Sequence, residues 1–207
     1  MDKQTVDRVQ LAAVYDNYAQ VRRDAGKEQW KVSERSIYLK VIQSADAHNL
    51  LEIGAGTGED SLFFQEAGFN VTAIDLSPRH VEMTRELGVR AMVMDFYDLK
   101  FPENNFDAVF LMNALVNVPT GELTYVLRNI ERVVKPGGLI FIGEYGGEDF
   151  EGIRENDKYK PSRFFRFYFF DDFKSILEKM FDIDRSKKQR LSGGMEFHSF
   201  ILRKRSS

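Results

Sequence analysis

The chain has 207 residues and contains no cysteine. Disulfides, thiolate metal sites and covalent catalysis through a thiol are therefore excluded. An excess of positive charge is also missing: 29 lysines and arginines stand against 32 acidic residues, for a net charge of −3. No broad basic field is available to draw in a phosphate backbone, which argues against nucleic acid as a partner. No apolar run approaches bilayer-crossing length, so no membrane span is expected. The first residues, Met1-Asp2-Lys3-Gln4, are polar and carry no signal-peptide core, so the expected location is cytoplasmic. Histidine is scarce. His48, His80 and His198 are isolated in sequence and read as surface or structural residues, and no cluster has metal-ligand spacing. There is no internal repeat and no low-complexity segment. What remains is 43% hydrophobic and 29% charged, an ordinary globular composition in a chain long enough for one domain with a small cap.

The most informative stretch is Leu50-Leu51-Glu52-Ile53-Gly54-Ala55-Gly56-Thr57-Gly58-Glu59-Asp60. It reads as a short buried strand, a glycine turn and the start of a helix. Glycines at 54, 56 and 58 remove the Cβ atoms that would keep a ligand off the backbone, and they permit the dihedrals of a tight turn. The helix that follows offers unpaired N–H groups and a positive dipole end to a polar ligand. A dinucleotide fingerprint, G-x-G-x-x-G, would need its third glycine at 59, where Glu59 stands. The pattern here is E-x-G-x-G-x-G, opened by Glu52.

Alternation of strands and helices continues along the chain. Residues 3–22 read as a helix carrying Tyr15 and Tyr18, and about 30–45 as a second, with Ile37, Val41, Ile42 and Ala45 on one face. Strand 49–53, helix 59–67 ended by Gly68, and strand 70–75 ending on Asp75 come next. Ser77-Pro78 supplies an N-cap and a first-turn proline for helix 78–87, which leaves Asp75 free for a ligand. Strand 89–94 closes on Asp95-Phe96. Phe106–Met112 is an almost wholly apolar strand, as one buried on both faces should be. Asn113 leaves it at the carboxyl edge. Helix 120–134 has strict spacing of Leu123, Val126, Leu127, Ile130, Val133 and Val134, is stopped by Lys135-Pro136-Gly137-Gly138, and leads to strand 139–142. Residues 146–152 read as a loop. The run from Arg163 to Phe170 is unusually aromatic and reads as core, pocket wall or contact surface. Asp171-Asp172 caps a last helix, and 181–187 with 195–204 form a hairpin around Ser192-Gly193-Gly194.

Taken together, the glycine motif, the acidic ends of strands two and three, Asp107 at the head of strand four and the Val133-Val134-Lys135-Pro136-Gly137-Gly138 passage resemble the class I (Rossmann-like) S-adenosylmethionine-dependent methyltransferases, over about 49–145. The resemblance implies a doubly wound, mostly parallel seven-stranded α/β sheet with helices on both faces and the last strand antiparallel. It implies one domain over 1–207: a helical cap (1–45), a cofactor-binding core (46–145), and a substrate-side segment with the C-terminal hairpin (146–207). It implies S-adenosylmethionine as cofactor and S-adenosylhomocysteine as product. The cofactor residues it points to are Tyr18, Glu52, Gly54, Ala55, Gly56, Gly58, Asp75, Leu76, Asp95, Phe96 and Asn113, with Asp75 on the ribose and Asp95 and Phe96 at the adenine.

Two departures bear on the acceptor. Many such enzymes carry a histidine a few residues after strand four, where this chain has Asn117. The Asn-Pro-Pro-aromatic tetrapeptide of enzymes that methylate base or glutamine amino groups is absent, since Ala114-Leu115-Val116 follow Asn113. The missing cysteine removes the covalent route to C5 of pyrimidines. A small-molecule acceptor bearing O or N is therefore expected, with direct in-line transfer. Glu144, Tyr145, Tyr168, His198 and Asp149 are candidate bases, none of them in an assigning motif. Rings of the aromatic run could face the sulfonium as cation–π partners. A non-catalytic module that binds the cofactor, an RNA methyltransferase and a nicotinamide-dependent oxidoreductase are the competing readings, and a homodimer is left open.

Overall fold

The computed structural model describes residues 6–206. Asp7 accepts from the N–H groups of Val9 and Gln10 and so starts α1 (Arg8–Asn17). The expected helix over 3–22 is two helices. Its first three residues lie outside the described residues, and Tyr18 (φ −109°, ψ 10°) breaks the rest before α2 (Ala19–Asp24). In α3 (Gln29–Ser44) the buried face is Glu34, Tyr38 and Ile42, whereas Ala45 is exposed. Tyr38 decides this rotation: its ring is fully buried and its hydroxyl bonds the carbonyls of Val109 and Leu139, 2.9 Å each.

Strands and helices then alternate as β1 (Asn49–Ile53), α4 (Glu59–Glu66), β2 (Asn70–Asp75), α5 (Pro78–Glu86), β3 (Arg90–Val93), β4 (Phe106–Met112), α6 (Thr120–Val133) and β5 (Val134–Gly146), except that a 3-10 turn (Phe96–Asp98) connects β3 to β4. A hairpin, β6 (Phe150–Ile153) with β7 (Phe164–Phe167), stands where a loop was expected at 146–152. The chain closes with α7 (Phe170–Glu178), β8 (Phe181–Arg190) and β9 (Glu196–Lys204). The N-cap of α7 is Phe169, without a side-chain cap; Asp171 and Asp172 sit in the first turn, where they complement the helix dipole instead.

Seven strands form one sheet in the order β3-β2-β1-β4-β5-β9-β8, with β1 to β5 parallel and β9 antiparallel to both neighbours. Two cores cover its faces. Tyr38, Ile42, Phe64 and Val81 from α3, α4 and α5 pack on one; Leu123, Val126, Leu127, Ile130 and Val133 of α6 with Phe173 and Leu177 of α7 pack on the other. Asp107 at the head of β4 has a structural task. Its carboxylate accepts from the backbone N–H of His48 and Asn49 and pairs with Lys135 at 2.5 Å, tying the start of β1 to the start of β5. Order reverses between β1 and β4, so their carboxyl ends diverge and leave a crevice, the usual ligand position in open α/β sheets.

Candidate functional site

A cleft of about 770 Å³, counting its open mouth, occupies that crevice. Its floor comes from three strand ends: Ile53 and Gly54 at the end of β1, Ile74, Asp75 and Leu76 at the end of β2, and Met112, Asn113 and Ala114 at the end of β4. Met94, Asp95, Phe96 and Tyr97 wall one side, and Arg8, Leu11, Tyr15 and Arg22 of α1 and α2 cover it.

Asp75 is the hub. Its Oδ2 accepts from the N–H of Gly56 at 2.8 Å, and its Oδ1 from the N–H of Ser77 at 2.9 Å, with the Nδ1 of His80 at 3.2 Å. Ser77 does cap α5, accepting from the N–H of His80, but Asp75 is not thereby free. It orders the glycine turn and the first turn of α5 together. Burial pushes its pKa up; the hydrogen bonds from His80, Ser77 and Gly56 outweigh this and hold the carboxyl below its ordinary range.

Gly54, Gly56, Asp75, Leu76, Asp95, Phe96 and Asn113 all line the cleft. At Gly56 (φ 55°) a Cβ would meet nothing within 4 Å, whereas at Gly54 it would lie 3.0 Å from the Ala114 Cβ. Asp95 is engaged on both oxygens, by the N–H of Tyr97 at 2.9 Å and by Arg8 at 2.7 Å. Asn113 holds a left-handed backbone (φ 57°), rare for a residue with a side chain, and its Oδ1 is buried without a partner among the described residues.

Four of the expected residues do not line the cleft. Glu52 is buried beneath α4, where Ser61 donates to its carboxyl; burial and then the nearby charge of Asp60 push it up to about 8. Gly58 (φ 85°) is required by packing, since a Cβ would fall 2.7 Å from the Thr84 Oγ1. Ala55 packs against the core of the α3–α5 face. Tyr18 stacks on Tyr159 at 4.3 Å and accepts from the N–H of Lys160.

The candidate bases lie elsewhere. Glu144, Tyr145, Tyr168 and His198 meet around a second, smaller cavity together with Leu115 and Arg166. Glu144 accepts from the N–H of Leu115 at 2.9 Å, its Oε2 has no partner among the described residues, and burial drives its pKa up to about 8. His198 pairs with Glu196 at 2.9 Å, and Asp149 with Arg166 at 2.6 Å. In the aromatic run, Tyr168 stacks on Phe173 in the core and Phe170 on Phe200, while Phe169 is exposed. No residue of 163–170 lines the main cleft.

A helical cap was expected over 1–45, and α1 and α2 do cover the cleft; the contacts that hold the cover in place were not foreseen. The Tyr15 hydroxyl donates to the Asn117 Oδ1 at 2.8 Å and accepts from Arg163 at 3.2 Å, so α1, the segment after β4 and the β6–β7 hairpin meet there. His80 was missed as well. It is buried in the cleft wall, and its place in the first turn of a capped helix beside Asp75 was the signal.

Comparison with known proteins gives a consistent picture. Residues 51–142 match the family model described as a methyltransferase domain. The chain is 31% identical over 118 residues to 2-methyl-6-phytyl-1,4-hydroquinone methyltransferase of Synechocystis sp., covering 54% of this chain and 36% of that one. It is 32% identical over 110 residues to demethylmenaquinone methyltransferase of Tropheryma whipplei, covering 51% and 45%. The chain thus spans less than half the length of these two curated relatives. Among solved structures, 1,6-didemethyltoxoflavin-N1-methyltransferase of Burkholderia thailandensis, with bound 1,6-didemethyltoxoflavin and S-adenosylhomocysteine, shares the fold at TM-score 0.72 and 20% identity. That likeness covers 100% of this chain and 94% of that one.

Proposed function

We propose that this chain, whose residues 51–142 are a methyltransferase domain of the class I, Rossmann-like family, transfers the methyl group of S-adenosylmethionine to an oxygen or nitrogen of a small-molecule acceptor. The observation that carries the reading is an ionised carboxylate, Asp75, held by backbone N–H groups at the bottom of a largely apolar cleft where the strand order reverses.

The residues present fit the cofactor. Asp75 keeps acceptor capacity beyond its three donors, suited to ribose hydroxyls. The open space at Gly56 admits a ligand against the backbone. Phe96, Leu76 and Met94 give apolar walls for an adenine ring, and the unpartnered Asn113 Oδ1 supplies an acceptor near the end of β4. S-adenosylmethionine supplies the activated methyl group; the protein's part is orientation and exclusion of water. Tyr15, Arg22 and Asn117 bound the side of the cleft toward α1, where an acceptor would stand. Glu144 acts at one remove: it holds the Leu115 amide and so fixes the segment after β4. The slight negative balance supports a small molecule over a nucleic acid.

The relatives named above act, by their names, on a hydroquinone, on demethylmenaquinone and on 1,6-didemethyltoxoflavin. A panel of hydroquinones and nitrogen heterocycles incubated with methyl-labelled S-adenosylmethionine is the corresponding test. Label in an acceptor supports transfer. Tight S-adenosylhomocysteine binding without label in any acceptor would instead favour a non-catalytic binding module, a reading supported by the placement of Glu144, Tyr145, Tyr168 and His198 outside the cleft.

A further inference from the structure

The His80 side chain in the cleft wall uses only one of its two ring nitrogens within the protein. His80 is 1% exposed. Its backbone is fully used: the N–H donates to the Ser77 Oγ and the carbonyl accepts from the Thr84 Oγ1. Its Nδ1 lies 3.2 Å from the Asp75 Oδ1. A carboxylate only accepts, so Nδ1 carries the hydrogen, and in the singly protonated tautomer that this bond selects, Nε2 is an acceptor. That Nε2 is buried and has no partner among the described residues. The ring of Tyr15 lies beside it, 5.8 Å between centroids.

Burying an unpaired acceptor is unfavourable, so a donor brought to Nε2 would be stabilising. The ring belongs to the cleft wall, so a molecule in the cleft can supply the missing donor. We propose that His80 is a second ribose-recognition residue: its Nε2 accepts from one ribose hydroxyl of the adenosyl ligand, while its Nδ1–H holds Asp75 to accept from the other. The inference rests on the placement of the ribose at Asp75 under the proposed function.

The test is a coupling measurement. S-adenosylhomocysteine and its 2′-deoxy and 3′-deoxy analogues are titrated calorimetrically into the unmodified protein and into His80→Phe, His80→Asn and His80→Gln, each checked for folding by urea denaturation. In the unmodified protein, loss of the hydroxyl that faces His80 should weaken binding about 10-fold. In His80→Phe that penalty should fall below about 2-fold for this hydroxyl and persist for the other. Glutamine, whose amide reaches the Nε2 position, should restore the penalty. Asparagine, which keeps only a donor toward Asp75, should not. If the phenylalanine variant fails to fold, the glutamine and asparagine pair decides the question. Penalties for both hydroxyls that stay the same in every folded variant would overturn the inference while leaving the cofactor assignment standing. Silence of the unmodified protein to all three ligands would overturn both.

Discussion

Asp75 and Glu144 both sit buried at the carboxyl edge of the same sheet, 8% and 5% exposed, yet their surroundings treat charge in opposite ways. Around Asp75, two backbone N–H groups and an imidazole converge, and the carboxyl is held below its ordinary range. Around Glu144, burial dominates; the backbone donors of the segment after β4, with Leu115 at 2.9 Å, do not offset it, and the carboxyl is pushed up to about 8. Burial alone therefore does not set protonation. Backbone donors reach both carboxyls; the His80 side chain beside Asp75 has no counterpart at Glu144 and makes the difference. The charged carboxylate faces the large cleft, and the neutral acid fixes the segment that separates that cleft from the small cavity.

The comparison breaks most visibly at Asp75. Asp75→Asn places an amide NH2 where N–H donors converge and removes the charge. Its affinity for S-adenosylhomocysteine should fall about 100-fold by calorimetry, the equivalent of losing one or two hydrogen bonds to a charged group. An unchanged affinity would put the ligand elsewhere.

Glu144→Gln sharpens the other side. The folded pKa of Glu144 is raised, so the folded state binds the extra proton. Its stabilising contribution is full below the ordinary carboxylate range and is lost as pH rises toward about 8. Chemical denaturation across that window should show the unmodified protein losing stability relative to Glu144→Gln, by about 4 kcal/mol at the alkaline end. Asp75 runs the opposite way: its depressed pKa stabilises the fold above the ordinary carboxylate range, and that contribution disappears as pH falls through the folded value. A pH-independent difference between the two proteins would contradict a neutral Glu144.

The glycines separate packing from ligand approach. Gly58→Ala drives a Cβ into Thr84 from a left-handed backbone and should lower stability by about 2 kcal/mol. Gly56→Ala meets open space, so its stability loss should be nearer 1 kcal/mol, with the larger effect on S-adenosylhomocysteine affinity. Equal stability losses would remove the distinction. The smallest effect is expected for Tyr168→Phe. It gives up a long 3.4 Å contact to Thr120 and leaves the stack on Phe173 intact, so the unfolding free energy from urea denaturation should change by less than about 0.5 kcal/mol, with no change in ligand affinity.

The strands and helices from β1 to β5 were legible in the sequence because local signals define them: the turn glycines, Ser77-Pro78 at the start of α5, and the strict apolar spacing of α6. Gly54, Gly56, Asp75 and Asn113 could be placed at the crevice because parallel strands bring their carboxyl ends to one edge, whereas Leu76, Asp95 and Phe96 were implied by the family resemblance. Glu52 shows the limit of that reasoning. Its place beside the turn says nothing of the Ser61 hydroxyl that meets it under α4. The break at Tyr18, the Arg8–Asp95 pair and the Tyr15–Asn117–Arg163 junction were not legible, because each depends on residues distant in the chain. The β6–β7 hairpin hid for a related reason: its strands are four residues each and pair across a long connection.

Calorimetric titration of the folded protein with S-adenosylmethionine, S-adenosylhomocysteine and NAD tests the central claim most directly. Saturable binding of both adenosyl ligands is expected, with the homocysteine form at least as tight, and no heat from NAD. Silence toward both adenosyl ligands, or binding of NAD alone, would contradict it.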